Sequence, residues 1–248
     1  MNFVIFGEGN SDVVGTKDND ENVVRQGSMR ILLDVLAKKP LTINPELFTK
    51  NTMEYQLFKK RLPRSMMLRA PKNEKIKKSD VFINVKYWVQ YVKTKQFSTL
   101  YGLVWYQDCD DNKHAEIYEA VQAGFKFEQV ADYGVPMLPK PCLEAWLLAY
   151  FQEDDRTAPY TDCAQFEKLD GWSKNAPRSP KNILARRLNC PQGAIWKKMK
   201  IGPHSGYEVV RGIDWDKVDM PSFNQFKTDF LAVVNKLSET AETRSVLP

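Results

Sequence analysis

Two short acidic motifs each follow an apolar run. Asn2 to Phe6 ends at Gly7-Glu8-Gly9-Asn10-Ser11-Asp12, and Leu100 to Tyr106 ends at Gln107-Asp108-Cys109-Asp110-Asp111. Carboxylates are hard oxygen donors of the kind Mg²⁺ prefers, and that ion keeps several waters on its remaining positions. Asp108 and Asp110 stand at alternate positions, so a turn after the strand would let both reach one cation. The glycines flanking Glu8 allow a sharp turn that aims it outward. A metal held this way can activate water and neutralise charge on a phosphoryl group. Glu8 would serve as general acid or base, or as a further ligand. Taken singly, each residue has a plainer reading: Ser11 or Asp12 as a helix cap, Asp111 as a turn residue, Glu8 as a loop acid.

Such groups must be positioned by strand ends. Asn2 to Phe6 and Leu100 to Tyr106 read as buried strands, and Phe127 to Leu138 as a third strand region closed by Pro139 and Pro141. Helical spacing runs through Val23 to Lys38, Phe82 to Val92 and His114 to Ala123, and Leu143 to Phe151 reads as a buried helix. This alternation predicts an α/β fold with a mainly parallel sheet flanked by helices. In such sheets functional groups gather beyond the carboxyl ends of strands. After Phe151 the strand signals fade and prolines divide the chain. Helices are expected from Pro180, with Ile183, Leu184 and Leu188, and from Ser222 to Leu237, with Phe223, Phe226, Phe230 and Val233 on one side. The resulting organisation is a core over 1–155 with a basic insertion around 50–80, and a mainly helical, basic C-terminal region over 156–248 packed on it. No internal repeat or low-complexity tract is present.

Glu144 lies in the apolar stretch Leu143 to Leu148. A buried carboxylate is costly unless paired or metal-bound. It therefore either completes the acidic site or meets a structural partner such as an arginine.

The net charge of +5 is unevenly distributed. Lys59 to Lys78 holds nine Lys/Arg against one acid, Gly171 to Tyr207 holds eight against none, and the remainder is net acidic. Arg61, Arg64, Arg69 and Lys72 in the first segment, and Arg178, Lys181, Arg186 and Arg187 in the second, could neutralise a nucleic-acid backbone, a contact without sequence preference and sensitive to salt. The alternative is two solvated faces. Trp172 and Trp196 could stack on bases or simply pack, and His114 could contact a phosphate or sit at a helix start. The four cysteines form no CxxC pair, and with only His114 and His204 the chain lacks zinc-ligand spacing. No signal-peptide pattern and no apolar run near the roughly 20 residues that span a bilayer is seen, so a cytoplasmic protein without a membrane partner is expected.

The motifs together resemble the Toprim superfamily of topoisomerases, bacterial primases and OLD-family nucleases, whose signature is a glutamate after the first strand and an Asp-x-Asp after a later one. Glu8-Gly9-Asn10-Ser11-Asp12 resembles the EGxTE form of OLD and RloB proteins, and Asp108-Cys109-Asp110 fits the Asp-x-Asp. Pro141-Cys142-Leu143-Glu144-Ala145-Trp146-Leu147-Leu148 resembles the PxxExWLL stretch of small stand-alone Toprim-like proteins, and Ser179-Pro180-Lys181 and Pro221-Ser222-Phe223 look like their late segments. Residues 2–12, 100–151 and, more weakly, 178–237 carry the likeness. One departure is the polar stretch Gly15 to Asn22, which stands where the family's helix begins. The resemblance implies a Rossmann-like Toprim core, Mg²⁺ or Mn²⁺ held by Glu8, Asp12, Asp108, Asp110 and Glu144, and catalysis by Glu8, Asp108 and Asp110. It further implies phosphodiester cleavage in DNA or RNA, in phage or plasmid defence beside a separate AAA/ABC-type, OLD-like ATPase. This chain has no Walker A motif of its own.

Two other readings compete. A metal-dependent glycosyl- or nucleotidyl-transferase would account for Asp108 and Asp110 but not for Glu8 or the basic segments. A non-catalytic nucleic-acid-binding subunit of an ATPase complex would account for the charge.

Overall fold

The computed structural model describes residues 1–7, 28–43, 80–95, 100–109, 113–154, 163–169, 176–191 and 206–245. Along these run β1 (Asn2–Phe6), α1 (Ser28–Leu36), β2 (Thr42–Ile43), α2 (Asp80–Thr94), β3 (Tyr101–Tyr106), α3 (His114–Phe127), β4 (Gly134–Met137), α4 (Leu143–Leu147), α5 (Pro180–Arg187), α6 (Gly206–Gly212) and α7 (Pro221–Ser245). Tighter 3₁₀ turns occupy Ala131–Tyr133, Leu148–Asp154 and Cys163–Lys168.

The strands form one parallel sheet in the order β2-β1-β3-β4, with Phe6 level with Trp105 and Tyr106 level with Met137. Side chains alternate across it. Phe3, Ile5, Val104, Tyr106, Val135 and Met137 enter one cluster with α1, α4, α6 and α7. Val4, Phe6, Leu103 and Trp105 enter another with α2 and α3. Both faces are covered, which explains why β1 and β3 read as continuous apolar runs rather than alternating ones. The chain is thus α/β, a parallel sheet flanked by helices with a helical C-terminal part.

The connections fix where a site can form. Between β1 and β2 the chain passes α1 on one face; between β3 and β4 it passes α3 on the other. The two crossovers run in opposite directions along the sheet, and a common right hand puts their helices on opposite faces. Strand order therefore reverses between β1 and β3, and the crevice beyond their carboxyl ends is where open α/β sheets place ligands.

Tight packing holds this register. A Cβ on Gly102 would lie 2.3 Å from the Phe3 ring, and one on Gly134 2.4 Å from the Phe125 ring, so both strands need a bare α-carbon. Pro136 lacks a ladder donor and sits on β4, at the sheet's edge among the described residues. On α7, Phe223, Phe226, Phe230, Val233, Val234 and Leu237 are buried at three- and four-residue spacing. Phe230 reaches Phe3 on β1 with ring centroids 5.4 Å apart, and Trp146 on α4 stacks on Phe226 at 5.5 Å. The C-terminal helix thereby closes one face of the sheet.

Several expected boundaries move. The strand region expected over Phe127 to Leu138 shrinks to Gly134–Met137, because α3 runs on to Phe127 and Gln129 then turns left-handed at φ 59°. Phe125 follows Val121 by one helical turn and both are buried, so the apolar residues there serve a helix. The helix expected over Leu143 to Phe151 is α-helical only to Leu147 and continues as a 3₁₀ turn. In the helix expected over Val23 to Lys38, Ser28–Leu36 is described, and Lys38 takes φ 53° just after it. The two-residue β2, the Cys163–Lys168 turn and α6 had no counterpart in the sequence reading. The C-terminal helix extends past Leu237 to Ser245.

Candidate functional site

Asp108 leaves the carboxyl end of β3 beside β4. Gln107 N donates to Met137 O at 3.2 Å and Cys109 N to Pro139 O at 3.0 Å, so the two chains stay paired past their strands. Strand alternation sends Asp108 to the side of Val104 and Tyr106, toward α4. There the Tyr106 hydroxyl donates to Asp108 Oδ1 at 2.8 Å, and Leu143 N, the first amide of α4, donates to the same oxygen at 3.1 Å. Among the described residues no hydrogen bond reaches Oδ2. The carboxyl is therefore held by one oxygen and presented by the other.

Glu144 is the next residue along α4 and is 3% exposed. The Cys142 thiol donates to it, and burial, then the charges of Glu144 and Asp108, push that thiol well above its usual range. Burial first, and the negative charge of Glu144 second, drive the Asp108 carboxyl up to about 8. The Tyr106 hydroxyl, the Lys181 ammonium and the Leu143 amide pull the other way and do not prevail. Two carboxyl groups close at a strand end, one with its pKa raised by burial and by the other's charge, form the electrostatic pattern that functional sites often show.

Lys181 approaches from the C-terminal part of the chain. Its helix α5 starts cleanly: Ser179 Oγ accepts from Asn182 N at 3.3 Å, and Pro180 occupies the first position, where its missing donor is not needed. This start places Lys181 in the first turn, where its charge acts on both Asp108 and Cys142. Seventy-odd residues of sequence separation are closed by α4 packing against α5.

Of the residues expected in the site, the structure brings together Asp108, Glu144 and Lys181. Glu8, Asp12 and Asp110 lie outside the described residues, as do Arg61, Arg64, Arg69 and Lys72 of the first basic segment. The neighbours of two of them are described. Gly7 is one residue past Phe6, which pairs with Trp105 on β3, and the buried Cys109 directly follows Asp108. Gly7 therefore stands on the β1 side of the same crevice. Arg178, Arg186 and Arg187 are exposed. Arg186 donates to Pro177 O at 2.7 Å and to Asn182 O at 3.3 Å. Arg186 and Arg187 fall in the last turn of α5, about 8 Å along its axis from Lys181. Among the described residues the cation acting on Asp108 is Lys181.

Tyr106 and Cys142 were not anticipated as members of this cluster. Tyr106 could have been found, since it precedes Asp108 by two residues and must share its side of the strand. Cys142 could not, because its position depends on how α4 meets β3. Among the described residues no group of three or more His, Cys, Asp or Glu is placed to hold a metal ion. All four cysteines are free. No described helix is long and apolar enough to cross a membrane.

No protein-family model matches the chain, and neither a curated protein nor a solved structure does. What the site can do is read from its own residues. The carboxyl pair fits a divalent cation on its geometry: Glu144 lies close enough to raise the Asp108 pKa, and Asp108 Oδ2 accepts no hydrogen bond among the described residues. Hard carboxylate oxygens suit Mg²⁺ or Mn²⁺ rather than a soft metal.

Proposed function

We propose that this chain is a divalent-metal-dependent nuclease with a Rossmann-like Toprim core, cleaving phosphodiester bonds in DNA or RNA. The observation that carries the reading is the Asp108–Glu144 carboxyl pair at the end of β3, in the crevice where strand order reverses, with Lys181 beside it. Asp108 and Glu144, with Glu8, Asp12 and Asp110 on the adjoining segments, would hold the ion. When bound, Mg²⁺ or Mn²⁺ would supply Lewis acidity and lower the pKa of a coordinated water. Tyr106 and Leu143 N fix one oxygen of Asp108, so the carboxylate needs little rearrangement to engage. Lys181 offers an ammonium to a non-bridging phosphate oxygen next to the carboxylates, where they would otherwise repel the substrate backbone. Glu8 takes or returns the proton of the attacking water. The Lys59–Lys78 and Gly171–Tyr207 segments supply charge for a polyanion. The same resemblance assigns the chain to phage or plasmid defence, with an AAA/ABC-type ATPase as a separate partner.

The test is incubation of the purified chain with plasmid DNA, single-stranded DNA and RNA, each with Mg²⁺, Mn²⁺ or EDTA. Cutting that requires metal and disappears in Asp108→Ala/Asp110→Ala supports the proposal. Cutting that survives the double substitution, or no cutting with or without an ATPase partner, defeats it.

A further inference from the structure

We propose that a second cavity, beside the acidic site, holds one unpaired nucleotide of the strand that is cut. This rests on the nuclease reading above and extends it to strandedness.

The cavity, of about 580 Å³, opens between the start of α3, the segment carrying Lys140, the Cys163–Lys168 turn and the start of α7. That size lies inside the roughly 300–1,000 Å³ of small-molecule sites. Its wall is continuous with the acidic site. His114 bonds to Leu138 O at 3.0 Å, Lys140 N donates to Ser222 Oγ at 3.3 Å, and Leu143 N donates to Asp108. Lys140 and Leu143 are three residues apart, so the two sites lie within about 11 Å along the chain.

The floor is rigid. Glu167, 7% exposed, accepts from Ser222 N at 2.9 Å and from Ser222 Oγ at 2.6 Å, and Ser222 Oγ accepts from Trp146 Nε1 at 3.0 Å. The remaining groups are left to a ligand. A carbonyl only accepts, so His114 Nε2 carries the hydrogen that meets Leu138 O. Burial, with the Lys140 charge, lowers the His114 pKa, which leaves the ring neutral and Nδ1 an acceptor. Gln225, also on the wall, uses its Nε2 on Tyr118 Oη and Asp229 Oδ1, both at 3.1 Å, which leaves its Oε1 as a second acceptor. The charge of Lys140 reaches both His114 and Glu167, and Lys140 and Lys168 both line the cavity. Glu119 on that rim is exposed, and water screens it. Two ammonium groups suit a phosphate, and two acceptors suit the amino or imino hydrogens of a base. A base pair is too large for a cavity bounded by four chain segments, so the strand here is single.

The experiment titrates the full chain with AMP, with UMP and with inorganic phosphate, all in EDTA, by calorimetry. The same titrations follow for Lys140→Ala/Lys168→Ala and for Ser238→Ala, which lies away from the cavity. Saturable binding of a mononucleotide is expected, weakened about tenfold or more by the lysine substitutions and unchanged by Ser238→Ala. Phosphate alone is expected to bind much more weakly. Absence of binding at millimolar nucleotide, binding indifferent to the two lysines, or phosphate binding as tight as AMP would each overturn the proposal. The cleavage assay stands apart. Metal-dependent cutting without nucleotide binding removes this cavity and spares the nuclease; nucleotide binding without cutting does the reverse.

Discussion

Replacing Asp108 by asparagine should stabilise the metal-free protein, and the gain should grow with pH. Burial and Glu144 hold the folded Asp108 carboxyl at about 8, against an ordinary 3.8. Between those values the folded chain keeps a proton that the unfolded chain has released, so stability falls as pH rises from about 4 to about 8 and levels off above. At pH 7 the gap of roughly three pH units sets a ceiling of about 4 kcal/mol, taking 1.36 kcal/mol per unit. Water reaches this partly buried carboxyl, which lowers the expected penalty to ~1–3 kcal/mol. Asparagine escapes it, because its carbonyl oxygen still accepts from Tyr106 and Leu143 N while carrying no charge toward Glu144. For a chain of this size that is roughly 3–10 °C in melting temperature. Thermal melts in EDTA from pH 4 to pH 9 measure it. Near pH 4 the two proteins should melt together, and near pH 8 the asparagine protein should melt higher. Mn²⁺ should then stabilise the natural protein and not the variant. An asparagine protein that melts lower at pH 8, or a gap independent of pH, would refute the crowded-carboxyl account.

Mn²⁺ binding to the natural protein should tighten by up to about tenfold per pH unit until about pH 8 and then level, since the ion must displace the Asp108 proton; a flat profile from pH 6 to 8 would place the ion elsewhere. Gly102→Ala should cost ~1–3 kcal/mol in urea unfolding, because its methyl group would meet the Phe3 ring. Phe230→Ala, which removes a fully buried ring packed on Phe3, should cost ~3–5 kcal/mol. Ser222→Ala should cost ~1–3 kcal/mol by leaving Trp146 Nε1 without its acceptor and removing one donor from the buried Glu167, whereas Ser238→Ala on the same helix should change little.

The parallel sheet was legible because burial on both faces writes itself into β1 and β3 as unbroken apolar runs. Helices α2 and α7 were legible for the matching reason: each repeats its buried residues every three or four positions. What could not be read was governed by contacts distant in sequence. Thr42–Ile43 is too short to carry a period, and only its pairing with Asn2 and Phe3 makes it a strand. The apolar stretch after Phe127 looked like a long strand because Val130 and Tyr133 are apolar, yet a left-handed turn at Gln129 intervenes and only four residues pair. In the site, Asp108 and Glu144 were named from strand-end placement and from a charge in an apolar helix. Lys181 was named for its charge and for the segment it shares with Ser179 and Pro180, and its place beside Asp108 depends on the docking of α5 against α4.

The cap that Asp108 provides does not account for its chemistry. Capping α4 asks for one neutral acceptor oxygen within reach of Leu143 N, which an asparagine or serine oxygen would supply without charge. Instead the chain places a second carboxylate, Glu144, on the very helix that Asp108 caps, and gives it a thiol rather than a full counter-charge as its hydrogen-bond donor. The arrangement is unfavourable as long as both groups carry charge, and burial with the Glu144 charge raises the Asp108 pKa to about 8. Lys181 offsets part of that rise and falls short. The two carboxylates stand at the mouth of the β1–β3 crevice, on the side where Gly7 and Cys109 lead in sequence to the other acidic residues. A divalent cation there would turn an electrostatic liability into a binding site.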